Sequence, residues 1–129
     1  MSKIKLVVFD LDGTLVNSQY DLTDSVNFVR QKYGFSPLPV DKVASYLGSG
    51  ITALVRAVLS ELNTTEFDTA VKMFKDNYAK HLTDKTLPYK DVIEMLSNIP
   101  QQKVLLSNKD EKFSKQILQT LGLSKFFTR

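Results

Sequence analysis

Cysteine is absent from the 129 residues, and histidine occurs once. A disulfide scaffold, a thiolate metal site and a cysteine nucleophile are therefore excluded. The composition is compatible with a reducing cytoplasm, which is the expected location. Long apolar runs are missing as well. The first run, residues 4–9, is too short for a secretory core or a membrane span, and it ends in Asp10 and Asp12. A soluble protein without a targeting segment or membrane partner is expected. A strong excess of one charge is also lacking: 17 basic residues against 14 acidic ones give a net charge of +3, and the lysines lie scattered among the acids. That pattern fits a solvated surface better than a nucleic-acid patch, with a modest attraction for anionic substrates. Apolar residues make up 43% and charged residues 24%, ordinary values for one packed domain or a small domain with an insertion.

What is present alternates in kind along the chain. Residues 4–9 are apolar or β-branched apart from Lys5, which predicts a strand buried on both faces of a parallel sheet. Leu22, Val26, Val29 and Tyr33 fall on one helical face, with Asp21 or Thr23 as the cap and Gly34 as the stop. A loop over residues 35–39 leads to a short helix over 41–47, which stops at Gly48-Ser49-Gly50. Ile51, Leu54, Val55, Val58, Leu59 and Leu62 then repeat at i, i+3, i+4, i+7, i+8 and i+11. A further helix carries Phe67, Ala70, Val71, Phe74, Tyr78 and Leu82 inward. No strand is expected from residue 16 to residue 83, and residues 83–88 read as irregular. A helix over 91–98 should bury Val92, Ile93 and Leu96. Residues 103–107 form the second strand candidate, and a helix burying Phe113, Ile117, Leu118 and Leu121 follows, ending at Gly122. The economical architecture is an α/β parallel-sheet core, residues 1–16 and 84–129, interrupted by a helical insertion over residues 17–83.

In such sheets ligands bind beyond the carboxyl ends of the strands. Asp10 and Asp12 lie there. Two apart on an extended segment, they point the same way, and Gly13 permits a tight turn between them and the rest of the chain. Two such anions are tolerable with a cation between them or with one protonated. Both conditions suit Mg²⁺-assisted phosphoryl transfer. Asp10 would attack phosphorus and Asp12 would serve as acid and base. Mg²⁺ would neutralise phosphate charge and hold Asp10 in line. Aspartates capping a turn are the plainer alternative. Ser107 and Asn108, at the end of the second strand and turning into a helix, suit a phosphate cradle, although a serine before a helix is commonly a cap. His81 reads as a structural histidine, Arg56 as a solvated one, and Gly48-Ser49-Gly50 as either a substrate-contacting loop or a helix break.

The string "FDLDGTLVNS" resembles the first motif of the haloacid dehalogenase-like hydrolases, and "LLSNK" resembles their second. "YLGSGITALVRAVL", "YAKHLTDKTLPYKDVIEML" and "ILQTLGLSKFF" are similar to the phosphoglycolate phosphatase branch. The resemblance implies a Rossmann-like core, incomplete here, with an all-helical cap inserted after the first strand. It implies a phosphatase acting on a small phosphorylated metabolite such as 2-phosphoglycolate through an aspartyl-phosphate. Asp10 would be the nucleophile and Asp12 the acid/base, which also lends its backbone carbonyl to Mg²⁺. Gly13, Thr14, Ser107, Asn108 and Lys109 would lie around the phosphate. The family's third-motif lysine and fourth-motif acidic residues follow the "LGLSKFF" region and are not in this sequence. Lys109 stands nearby as a candidate substitute. Two further expectations follow from that departure: a bare apolar edge on the first strand that invites self-association, and, as the alternative function, a non-catalytic remnant or interaction module. A receiver-type signalling domain fits less well, because its phosphate-accepting aspartate lies on a mid-chain strand.

Overall fold

The computed structural model describes residues 3–128. The outermost positions of the expected core, residues 1, 2 and 129, lie outside the described residues. Two small sheets organise the chain. β1 (Leu6–Phe9) runs parallel to β4 (Gln102–Leu105), with Leu6 opposite Gln102 and Phe9 opposite Leu105. The Leu106 amide donates to the Phe9 carbonyl at 2.8 Å and carries the pairing one step further. β2 (Val16–Asn17) pairs antiparallel with β3 (Leu87–Pro88).

Between β2 and β3 stand four helices: α1 (Gln19–Lys32), α2 (Val40–Ala44), α3 (Ile51–Val58) and α4 (Thr64–Ala79). α1 packs on α2 and α4, and α3 packs on α4. After β3 come α5 (Val92–Asn98), β4, α6 (Glu111–Thr120) and a 3-10 turn at Ser124–Phe126. The α/β class with an inserted helical stretch is thus the observed architecture. Leu11 and Leu15 beside β1, Val26 and Tyr78 in the helices, and Ile117 and Leu123 near the end belong to one continuous apolar cluster.

Several local expectations need correction. β1 is not buried on both faces: Leu6 is 47% and Val8 52% exposed, while Phe9 packs edge-on against Phe127 at 6.0 Å. Among the described residues β1 pairs with β4 alone, and no observation supports self-association through its other edge. β2 and β3 were not expected, because two residues per strand give no alternation to read. α1 begins two residues before Asp21, so neither Asp21 nor Thr23 is its cap. Thr23 donates back to the Gln19 carbonyl at 2.7 Å. α2 stops at Ala44, and α3 ends at Val58 rather than running to Leu62, since Leu59 leaves the helical region at φ −126°, ψ 38° while staying buried. Ile93 faces solvent, leaving Val92 and Leu96 as the buried side of α5. β4 ends before Leu106, so Ser107 lies in the loop beyond the strand.

Asp21 has a different task. Its buried carboxylate accepts from the Lys85 amide at 2.9 Å, the Thr86 amide at 2.8 Å and the Thr86 hydroxyl at 2.7 Å. One side chain of α1 therefore clamps the segment that returns from the helices toward β3. Replacing it by alanine leaves buried donors unpaired, which costs about 3 kcal/mol. Urea unfolding followed by circular dichroism should show that loss for Asp21→Ala; a change below about 0.5 kcal/mol would show that the clamp carries no stability.

Candidate active site

The turn after β1 builds the first wall. Leu11 is fully buried and faces the core, so Asp10 and Asp12 on either side of it face the other way. The amides of Thr14, Leu15 and Val16 converge on the Leu11 carbonyl at 3.2, 2.9 and 3.2 Å. Gly13 closes this turn at φ +78°, a left-handed conformation suited to glycine, with its amide on the Val16 carbonyl. Asp10 accepts from the Leu11 amide at 2.8 Å through Oδ1.

Asp12 is held at both oxygens. The Ser18 hydroxyl donates to Oδ1 at 2.6 Å, and the Lys109 ammonium lies 3.3 Å from Oδ2. Ser18 occupies the position before α1, yet its hydroxyl does not cap the helix; it is spent on Asp12. Lys109 donates to the Tyr78 hydroxyl at 2.5 Å, with only 3% of its side chain exposed. Burial pushes the Lys109 ammonium below the usual lysine range, and the nearby Asp12 charge opposes that shift. Burial, and secondarily the charges of Asp12 and Asp21, push the Tyr78 phenol well above its ordinary value.

The loop after β4 forms the second wall. Ser107 accepts the Lys109 amide at 3.1 Å, and the Asn108 side-chain amide donates to the Gly48 carbonyl at 2.7 Å. Gly50, at φ +91°, sits so close that a Cβ there would lie 3.2 Å from the Asn108 carbonyl oxygen. Asp10, Asp12, Ser107, Asn108 and Lys109 thus line one side of a cleft, with Gly48, Gly50, Ile51 and Leu54 opposite.

The structure gathers most of the residues singled out from sequence, with exceptions. Gly13 lines an adjoining recess on the far side of Asp12. Thr14 and Ser49 are exposed, and neither lines the cleft. His81 is bound to Asp84 at 2.6 Å at the surface, and Arg56 lies over the Phe67 ring at 4.5 Å. Two participants were missed. Ser18 carried the signal of a serine before a helix, but only the fold shows its partner. Tyr78 fitted the inward stripe of its helix, and nothing in that pattern told that its hydroxyl meets a lysine.

For a metal, the described residues offer no cluster of three or more acidic, histidine or cysteine side chains. Asp10 keeps Oδ2 outside its bond to Leu11, and the Asp12 backbone carbonyl would be the second donor of the turn. That set fits Mg²⁺, which binds through one or two carboxylates and keeps waters and substrate phosphate oxygens in its other positions.

The family model of the haloacid dehalogenase-like hydrolases matches residues 7–129. The chain belongs to the haloacid dehalogenase-like hydrolases. Phosphoglycolate phosphatase of Chromobacterium violaceum is 32% identical over 99% of this chain and 61% of its own length. That of Psychrobacter arcticus is 33% identical over 96% of this chain and 59% of its own. The crystal structure of a predicted phosphoglycolate phosphatase from Haemophilus somnus 129PT superposes with a TM-score of 0.94 at 27% identity, over 99% of this chain and 62% of that one. The haloacid dehalogenase-like chain spans about 60% of the length of these relatives.

The phenol of Tyr78 gives a test of this burial. Its raised folded value means that it contributes stability fully below the unfolded tyrosine value of about 10, and that this contribution is lost as pH rises above it. In an alkaline titration the Tyr78 phenolate, identified by difference against Tyr78→Phe, should appear only as near-UV dichroism is lost. Its reversible ionisation in an intact fold would contradict the buried setting.

Proposed function

We propose that the chain carries the reacting half of a phosphatase site for small phosphate monoesters, 2-phosphoglycolate or a similar metabolite among them. The observation that carries this reading is the convergence of Asp10 and Asp12 with Ser107, Asn108 and Lys109 on one cleft. The phosphoglycolate phosphatase relatives support the substrate class. Residues 17–83 act as the cap over the cleft.

In this mechanism one carboxylate oxygen of Asp10 attacks phosphorus and the other is left for the metal. The bond from phosphorus to the ester oxygen breaks, and Asp12 gives that oxygen its proton. Asp12, now ionised, takes a proton from water, whose oxygen attacks the phosphorus of the aspartyl-phosphate; the bond from phosphorus to Asp10 breaks, which frees phosphate and restores the Asp10 carboxylate. The Ser107 hydroxyl and the Asn108 backbone amide hold phosphoryl oxygens. Asp10 and the Asp12 carbonyl would hold Mg²⁺, which neutralises charge on the transferring group.

A second reading has its own observation. Ile4, Leu6, Val8 and Leu106 stand 63%, 47%, 52% and 73% exposed, and the described residues supply two metal donors without a third acidic partner. These favour a chain that binds phosphate but turns over weakly or not at all. Phosphate release from 2-phosphoglycolate and p-nitrophenyl phosphate, with Mg²⁺ or with chelator, separates the two. The first reading expects metal-dependent turnover that Asp10→Asn lowers by about a thousandfold or more. Wild-type release no faster than that of Asp10→Asn would leave the second.

A further inference from the structure

We propose that Lys109 is the positioning residue of the Asp12 carboxylate, and that Tyr78 holds Lys109 in place from the inserted helices. The proposal rests on the acid/base reading of Asp12 given above.

The geometry divides Asp12 between two donors from different parts of the chain. Ser18, just before α1, binds Oδ1, and Lys109, in the loop after β4, approaches Oδ2. Each oxygen keeps a further lone pair for the cleft. The carboxylate is therefore fixed in rotation while still able to pass a proton. A single flexible donor would not do this; a hydroxyl donor on one oxygen and an ammonium beside the other do.

Lys109 is built to stay there. A buried ammonium is costly without partners, and its partners are Asp12 and Tyr78. The Nζ atom also lies 4.3 Å from the centre of the Tyr78 ring, a cation–π distance. The Lys109 amide is tied to Ser107, which fixes where the stem of the side chain begins. Tyr78 is fixed in turn: its ring lies 5.8 Å from Phe74 on α4 and meets Phe113 of α6 edge-on at 5.5 Å. The ammonium is thus held from behind by the inserted helices and aimed at Asp12. Asp10 is not among its partners, so the geometry points to Asp12 rather than to the phosphoryl group as the atom it serves.

The arrangement also links two parts of the site. The loop that carries Ser107 for phosphate carries Asn108 to Gly48 and Lys109 to Tyr78. A shift of the inserted helices away from this loop would loosen Lys109 and with it the aim of Asp12.

Two measurements on the full chain test the proposal. In ¹H–¹⁵N spectra of lysine ammonium groups, a buried, paired ammonium exchanges slowly enough to be seen. A resonance missing from Lys109→Met, or from Lys109→Arg if the methionine variant fails to fold, identifies Lys109. It should shift or vanish in Asp12→Asn and in Tyr78→Phe, with the other resonances in place. A Lys109 resonance indifferent to Asp12→Asn, or absent from the wild type, overturns the proposal. In p-nitrophenyl phosphate hydrolysis, Lys109→Met should lower kcat about tenfold to a hundredfold, within the range general acid–base catalysis supplies, with KM changed less than about twofold. Lys109→Arg should recover most of that loss. A raised KM with kcat retained would make Lys109 a phosphate ligand instead and overturn the proposal. Absence of turnover in the wild type would defeat the phosphatase reading by itself, and the ammonium spectrum would still decide whether Lys109 holds Asp12.

Discussion

Parallel pairing between β1 and β4 governs everything else in this molecule. Four residue pairs and one continuing hydrogen bond set the two strands in register. Because the strands run the same way, both end at the same edge. The loop carrying Asp10 and Asp12 and the loop carrying Ser107, Asn108 and Lys109 are brought together by that alone. An antiparallel pairing would send them to opposite ends. The rest of the chain serves the constraint: the helices between β2 and β3 must leave and return beside the same edge. The β2–β3 pair and the Asp21 clamp on Lys85 and Thr86 bring them back.

Charge is the second constraint, and it is met locally. Asp12 is partly buried, and Lys109 is almost wholly so. Neither is comfortable alone, since an unpaired charge in such a setting costs several kcal/mol. Together with Ser18 and Tyr78 they form a small polar island inside apolar packing. Asp10 is more exposed and faces the cleft. One aspartate is thus held rigidly and the other left open to a ligand. That division suits the proposed roles of a positioned acid/base and of a nucleophile that must reach its target.

Much of this was legible in the chain. The apolar strand ending in two aspartates, the heptad-like spacing from Ile51, and the second strand before Ser107 each carry a local pattern with a physical cause. Those patterns were enough to place the α/β layout and to bring Asp10 and Ser107 to one edge. The misses have causes too. β2 and β3 are two residues long and owe their existence to each other. Asp21 looks like a helix cap because its type and place suit one, whereas its partners lie more than sixty positions away. Leu6 and Val8 suit a buried strand by composition, but burial depends on what covers the sheet. Lys109 reads as a phosphate ligand next to Ser107, and only the position of Tyr78 turns its ammonium toward Asp12.

The central claim is that Asp10 is the atom donor to phosphorus at this strand edge. Reduction with borohydride converts an aspartyl-phosphate to homoserine, which mass spectrometry can assign to a residue. After brief exposure of the chain to acetyl phosphate and Mg²⁺, the account predicts homoserine at position 10 and aspartate intact at position 12. Homoserine at position 12, or no conversion at either position, would contradict it.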